Sequence, residues 1–126
     1  MSGFTFDSNI VIDFLAGFAP ARDEFVSAAE HGQAAWVSRM VWIEVLSKGT
    51  PAEIEYARQF MTGLAIDEID EAIALRAAAL RRERPRLKSP DAIILATAQL
   101  RGRTLITRNT KDFAAGTPGI RVPYTL

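Results

Sequence analysis

The sequence SPDAIILATAQLRGRTLITRNTKDF, residues 89–113, predicts a helix that leads directly into a short buried strand. Ser89 is a favoured helix N-cap, and Pro90 suits the first helical position. Apolar residues then recur up to Gly102, which suits the left-handed turn that ends many helices. The residues of 104–107 read as the strand. A helix that returns the chain to a new strand is the repeating unit of a parallel sheet.

Polar residues lie at both ends of this helix–strand unit. Asp91 falls in the first turn of the predicted helix, where the helix dipole favours a carboxylate. Asn109 and Asp112 follow the strand, where they could also cap a short helix. Helix starts and strand ends of this kind face the crevice in which open α/β sheets bind ligands. We therefore expect Asp91 and Asp112 to lie near a functional site.

Strand and helix patterns alternate along the rest of the chain. Strands are predicted at 4–6, 34–38, 65–67, 104–107 and 120–122, the last as an edge strand bracketed by prolines. Helices are predicted at 10–17, 20–30, 39–48, 51–62, 70–84 and 89–101. This alternation predicts an α/β fold with a mostly parallel sheet covered on both faces. The length of 126 residues, without a linker or repeat, predicts a single domain, residues 1–126.

The composition excludes several classes of protein and site. Apolar residues make up 48% of the chain, which is too many for a disordered protein. There is no cysteine, so disulfides, cysteine nucleophiles and thiolate zinc sites are excluded, and we expect a cytoplasmic protein. The opening residues MSGFTF lack the pattern of a secretion signal, and no apolar run approaches about 18 residues. We therefore expect neither secretion nor a membrane span.

The net charge is zero, but the two signs are segregated along the chain. Residues 1–75 contain four Lys or Arg and twelve Asp or Glu, whereas residues 76–126 contain eleven and three, so the halves carry −8 and +8. Such segregation indicates either a polyanionic partner or two halves that neutralise each other. A run of five cations before Asp91 could hold RNA phosphates, or could be a solvated helix end. The run consists of Arg81, Arg82, Arg84, Arg86 and Lys88.

Two further carboxylates, Asp7 and Glu44, are candidates for the same site. Asp7 closes the first predicted strand and could also serve as a helix N-cap. Glu44 lies in the middle of the helix RMVWIEVLSK, which is apolar nearly all round, so we expect Glu44 to be largely buried. A buried carboxylate needs a cation, a hydrogen-bond donor or a metal. Lys48, one helical turn further on, is the alternative partner.

Four carboxylates at one edge of a sheet would repel one another unless a cation were bound. Oxygen ligands suit Mg²⁺ or Mn²⁺, which bind through carboxylates, waters and substrate phosphates. His31, the sole histidine of the sequence, lies at a predicted helix end and suits a C-terminal cap. A catalytic triad or a histidine-pair ribonuclease mechanism therefore lacks its residues. Metal-assisted hydrolysis is the chemistry that we expect.

Together these motifs resemble those of a PIN domain, and in particular those of the VapC toxins of bacterial toxin–antitoxin pairs. The matching segments are FTFDSN with Asp7 and Asn9, VWIEVL with Glu44, SPDAIILATA with Asp91, and TLITRNTKDF with Asn109 and Asp112. The resemblance spans nearly the whole chain. It implies a three-layer α/β/α sandwich and a Mg²⁺-dependent endoribonuclease. In such an enzyme the four acids hold the metal and act in catalysis, and the two asparagines give polar support.

The resemblance also implies partners. RNA is the substrate, and a cognate VapB-type antitoxin places a basic side chain among the carboxylates and provides the contact with operator DNA. Such proteins commonly form homodimers, so we expect one here. Phe60, Met61 and Leu64 could offer apolar surface for the dimer, although core packing is the alternative use of such a stripe.

Three other functions stay open on the sequence. A PIN nuclease with a housekeeping role in RNA processing would use the same chemistry, and a small antitoxin gene immediately upstream would separate the two. A phosphoacceptor domain of receiver type also has an aspartate after a strand, but in mid-chain, whereas Asp7 follows the first strand. A catalytically silent binding module that acts through its antitoxin at an operator would not need the full set of acids.

Overall fold

The structure, a computed structural model, describes residues 3–126. Within this range five strands alternate with six helices. The strands are β1 (Phe4–Phe6), β2 (Ala35–Ser38), β3 (Ala65–Asp67), β4 (Thr104–Ile106) and β5 (Ile120–Arg121). The helices are α1 (Ser8–Leu15), α2 (Ala19–Glu30), α3 (Arg39–Leu46), α4 (Pro51–Thr62), α5 (Glu71–Glu83) and α6 (Ser89–Arg101). Among these helices, none combines the length and the apolarity that crossing a membrane requires.

The strands form one parallel sheet with the order β3-β2-β1-β4-β5. β1 is central, with Phe4 opposite Ala35 on one side and Thr104 on the other. The predicted α/β fold with a parallel sheet is confirmed, and so is the position of β5 at an edge. A receiver-type domain places its first strand between the second and third, whereas β1 lies between β2 and β4. The phosphoacceptor alternative is therefore excluded.

The hydrophobic core surrounds the central strand. Phe6 of β1 is fully buried, and its ring stacks on Phe25 of α2 with 4.2 Å between the ring centroids. Met61 is also fully buried, and Phe60 and Leu64 pack against the core. Core packing, one of the two uses considered for these three residues, is therefore found, and a dimer surface stays a prediction.

Two predicted helix ends differ from the structure. α6 has Lys88 as its N-cap residue in place of Ser89, and the Lys88 carbonyl accepts the Ala92 amide at 2.9 Å. Leu87 is 1% exposed, so its burial decides where the chain enters the helix and overrides the preference for a serine cap. α3 ends two residues earlier than predicted, with Ser47 as its C-cap residue, and the Ser47 hydroxyl donates back to the Ile43 carbonyl.

Helix α3 is less buried than its apolar sequence predicts. Of its eight residues only Val41 and Val45 are buried, while Ile43 is 56% exposed. The helix packs one face on the sheet and its neighbours and turns the other towards solvent. Glu44 is consequently half-buried, and the prediction that it is largely buried is wrong.

Parallel strands bring several polar residues to one edge of the sheet. Asp7 follows β1 directly, and its amide donates to the Ile106 carbonyl of β4 at 2.9 Å. Thr107 follows β4 at the same edge, and α3, which carries Glu44, begins directly after β2. The fold thus assembles a polar edge from segments that lie about a hundred residues apart, as the separation of 100 between Thr107 and Asp7 illustrates.

Candidate active site

Asp7 is the most deeply buried acid at this edge, with a side chain held by several donors. The residue is only 2% exposed. The Thr107 hydroxyl donates to its Oδ2 at 2.7 Å, and the Ser8 amide donates to its Oδ1 at 2.8 Å. Burial raises the pKa of Asp7, these two hydrogen bonds oppose the rise, and the charge of Glu44 adds to it. Asp7 is also the N-cap of α1, so its interpretation as a helix cap is confirmed.

Glu44 is connected to Asp7 through one hydroxyl group. The Ser8 hydroxyl donates to Glu44 Oε1 at 2.9 Å and lies 3.5 Å from Asp7 Oδ1, so it bridges the two acids. Burial raises the pKa of Glu44, the Ser8 hydrogen bond lowers it, and the charge of Asp91 raises it further. Within residues 3–126 Glu44 forms no ion pair, so the alternative pairing with Lys48 is absent there.

Asp91 lies in the first turn of α6, as predicted. Its pKa is raised from 3.8 to about 6. Burial is the largest cause, followed by the negative charges of Asp7 and Asp112, while Lys88 and Arg84 lower the pKa. The pKa of Asp91 is therefore raised by two of the other candidate acids, and it lies not far below neutral pH.

Asp112 and Asn109 hold each other in the turn after β4. Asn109 Nδ2 donates to Asp112 Oδ2 at 3.0 Å, and the Asp112 amide donates to Asn109 Oδ1 at 3.2 Å. The segment is a turn, so the alternative of a capped short helix is not realised. The Asn109 amide also donates to the Thr107 hydroxyl at 3.0 Å, so one threonine links this turn to Asp7.

The four predicted acids share one electrostatic environment. The charge of Glu44 raises the pKa of Asp7, and the charge of Asp91 raises the pKa of Glu44. The charges of Asp7 and Asp112 both raise the pKa of Asp91. In the part of the chain that the structure describes, however, no three His, Asp or Glu side chains are close enough to hold one metal ion together. Mg²⁺ commonly binds through one or two carboxylates and several waters, so a donor set of spaced carboxylates fits that ion.

Two residues of this site have no signal that singled them out in the sequence. Ser8 reads as one more cap former after Asp7, and Thr107 reads as the last residue of a strand. Both contact acids only through the tertiary fold, because their partners Glu44 and Asp7 are distant in sequence. In the sequence, the position of Ser8 next to a candidate acid and that of Thr107 at a strand end are the features that could have indicated these contacts.

A second layer of polar contacts fixes the loop after β4. The Arg108 amide donates to Asn9 Oδ1 at 3.3 Å, and Asn9 Nδ2 donates to Asp7 Oδ2 at 3.3 Å. The Arg108 guanidinium pairs with Asp13 at 2.6 Å, and the Tyr124 hydroxyl donates to the same carboxylate at 2.8 Å. The chain near the C-terminus thus helps to position Asn9 and the loop.

A cleft of about 800 Å³, the active-site cleft, opens beside the acids. Asp91, Asn109 and Asp112 line it, together with cations of the basic run and Lys111. Of that run, three members line the cleft, namely Arg84, Arg86 and Lys88. The other two do not: Arg81 donates to the Leu87 carbonyl at 2.9 Å, and Arg82 is an exposed residue in the last turn of α5. His31 is the C-cap of α2, as predicted.

Comparisons with known proteins identify the family and the fold. A sequence model of the PIN domain family matches residues 4–116. A chain of a toxin–antitoxin complex from Klebsiella pneumoniae is 41% identical, with 98% of this chain and 100% of that one covered and a TM-score of 0.84. No curated protein sequence gives a significant match.

Two more distant structures share the fold. A chain of the DNA-bound VapBC complex from Salmonella typhimurium is 22% identical, with 96% of each chain covered and a TM-score of 0.79. A chain of VapBC2 from Rickettsia felis, bound to a DNA fragment from its promoter, is 19% identical. In that comparison 94% of this chain and 95% of the other are covered, with a TM-score of 0.75. At these identities the similarity establishes the fold alone.

Proposed function

The chain belongs to the PIN domain family, and on this basis we propose that it is the toxin of a type II toxin–antitoxin pair and a metal-dependent endoribonuclease. One observation carries the proposal: four electrostatically coupled acids lie at the carboxyl edge of a parallel sheet, and two of them, Asp91 and Asp112, line a cleft with basic walls. The acids suit a divalent cation, and the basic walls suit a polyanionic substrate. RNA is a polyanion, and its phosphate groups can also bind a divalent cation, so it suits both the basic walls and the acids.

Asp7, Glu44, Asp91 and Asp112 would hold Mg²⁺ or Mn²⁺, with waters bridging to the carboxylates that are too far apart to bind one ion directly together. The protein donors would all be carboxylate oxygens, and the pKa values of the first three are raised, so a bound cation would relieve burial and repulsion that the fold otherwise sustains. When bound, the ion supplies positive charge that polarises a phosphoryl oxygen and favours ionisation of water.

The side chains of the protein would orient the reaction. Ser8 and Thr107 hold Glu44 and Asp7 by hydrogen bonds, and the asparagines support the acids next to them. One of these carboxylates would accept the proton of the attacking water. The water oxygen bonds to phosphorus as the bond between phosphorus and O3′ breaks. The 3′ oxygen then takes up a proton, which leaves 5′-phosphate and 3′-hydroxyl ends.

The proposal includes protein and DNA partners. The 41% identical structure is a toxin–antitoxin complex, which supports a VapB-type antitoxin as the partner of this chain. The Salmonella and Rickettsia complexes are bound to DNA, which supports operator DNA as a contact made through the antitoxin. A homodimer is expected from the family resemblance.

Cleavage of single-stranded RNA by the purified protein tests the function. Wild-type protein should cleave with Mg²⁺ or Mn²⁺ and stop in excess EDTA, and Asp7→Asn should lower the rate by about a hundredfold or more. Asp23→Asn is the matched control, because Asp23 is an exposed carboxylate on α2. Undiminished cleavage in excess chelator, or by Asp7→Asn, would contradict the mechanism.

A further inference from the structure

Positive charge that forms no ion pair is concentrated beside the acids. Of the fifteen Lys and Arg side chains, seven form ion pairs within residues 3–126 and eight do not. Five of these eight line two adjoining clefts, namely Arg76, Arg84, Arg86, Lys88 and Lys111. Cations gathered in this way repel one another, so a polyanion placed between them would be bound favourably.

One of the two clefts is the active-site cleft, and the other, here called the lateral cleft, lies between α5, α6 and the loop of residues 111–119. The lateral cleft has a volume of about 730 Å³, within the range of about 300–1,000 Å³ that is usual for ligand sites. The two clefts share Arg84, Lys111 and Asp112 on their walls. A polymeric ligand bound in one cleft can therefore continue into the other cleft past the proposed catalytic acids.

The lateral cleft has an apolar floor and a polar rim. Leu80, Leu95 and Phe113 on its walls are buried side chains. Arg76 lies on the rim, where its Nε donates to Gln99 Oε1 at 2.8 Å. This contact leaves the arginine charge uncompensated, because the glutamine is neutral, and it leaves the Gln99 amide N–H groups able to donate to a ligand.

We propose that the lateral cleft is a second RNA subsite, which takes a nucleotide that flanks the scissile phosphate. Arg76 and Lys111 bind its phosphates at the rim, and the apolar floor receives its base. The inference rests on the proposed function, because the ligand is the same RNA strand. It extends that function by assigning substrate contacts outside the active-site cleft, with Gln99 placed to contact a base edge.

The shape and charge favour RNA over an acidic protein segment. Single-stranded nucleic acid presents a phosphate and an apolar base face in each nucleotide, and single-strand sites combine a basic groove with apolar or aromatic platforms. The lateral cleft offers both features and joins the place where the phosphodiester would be cut. Glu83 and Asp112 also line the lateral cleft and offset part of its positive charge. The remaining positive charge therefore does not require a ligand with a dense run of carboxylates.

Binding of a fluorescent single-stranded RNA of about twelve nucleotides, measured by anisotropy in EDTA, tests the subsite without cleavage. Arg76→Ala/Lys111→Ala is compared with Arg22→Ala/Arg58→Ala, which removes the same charge from exposed positions on α2 and α4. Each lost phosphate contact should lower the log–log salt slope by about 0.7, so the first variant should lose about 1.4 and the control none. The deficit of the first variant should shrink about sevenfold between about 50 and 200 mM salt.

Two further measurements keep the outcome decisive. Arg76→Lys/Lys111→Arg should restore the salt slope, and 4-thiouridine beside the cleavage position should crosslink to the peptide that contains Phe113 only when the two cations are present. An unchanged salt slope of RNA binding in a folded Arg76→Ala/Lys111→Ala protein overturns the subsite. A variant that has lost affinity for its protein partner but not for RNA overturns it as well. Wild-type protein that cleaves RNA with Mg²⁺ but does not bind it in EDTA overturns the subsite and leaves the proposed function intact.

Discussion

Replacing Asp91 with asparagine should stabilise the metal-free protein at neutral pH. The pKa of this carboxyl is raised from 3.8 to about 6, which means that the folded protein disfavours its ionised form. Each pKa unit corresponds to about 1.4 kcal/mol, so the full shift would correspond to about 3 kcal/mol. Asp91 is only half-buried, and solvent screening reduces this figure to about 1.5 kcal/mol.

The helix dipole acts in the opposite direction. Asp91 lies in the first turn of α6, where a carboxylate stabilises the helix by about 0.5 kcal/mol. Burial and repulsion are the larger effect, so Asp91→Asn should raise the free energy of unfolding by about 1 kcal/mol in EDTA at about pH 7.5. Added Mg²⁺ should stabilise the wild type more than the variant, because a ligand that binds the folded state shifts the equilibrium towards it.

The sign of the pH dependence follows from the raised pKa. Below the unfolded pKa of about 3.8, Asp91 is protonated in both states and carries no penalty. As pH rises from about 3.8 to about 6, the unfolded chain ionises the carboxyl while the folded protein keeps its proton, so the wild type loses stability and Asp91→Asn does not. Above about 6 both states are ionised and the loss is complete. Urea unfolding of both proteins across this window, with Asp23→Asn as the control, measures the difference. A stability gain in Asp91→Asn that is equal at both ends of the window, or no gain at all, would refute the electrostatic reasoning.

Two other predictions follow from single contacts in the site. Thr107→Val should lower RNA cleavage and cost about 1–3 kcal/mol in the free energy of unfolding, because Asp7 loses a buried donor at 2.7 Å, and urea unfolding together with single-turnover cleavage will measure both effects. Wild-type cleavage and stability in that variant would contradict the role of Thr107. Glu44→Gln should abolish cleavage without loss of metal-free stability. A double-mutant cycle of unfolding energies between Glu44 and Lys48 should show coupling below about 0.5 kcal/mol, and stronger coupling would restore the ion-pair interpretation.

Local patterns predicted the fold to a large extent. The alternation of short apolar strands with capped helices predicted each strand within one or two residues, and Gly102 ends α6 in the left-handed conformation expected of it. Where prediction failed, tertiary packing decided. The burial of Leu87 moved the N-cap of α6 to Lys88.

The site was predicted less completely than the fold. Strand ends and helix starts identified Asp7, Asp91 and Asp112, because these positions follow from local signals. Half-burial of Glu44 depends on which face of α3 packs, and an apolar sequence does not reveal that. Contacts such as that of Thr107 with Asp7 join residues that are 100 positions apart in the sequence, so no local pattern predicts them.

The most direct test of the proposed ribonuclease is a map of RNA 5′ ends in cells after induction of the wild type or of Asp7→Asn. Asp7→Asn keeps the size of the side chain while removing the charge that metal binding would need. New 5′-phosphate ends at defined RNA positions, present with the wild type and absent with the variant, are the predicted result. The same new ends with both proteins, or none with a wild-type protein that is produced and folded, would contradict the assignment of the acid site as a ribonuclease centre.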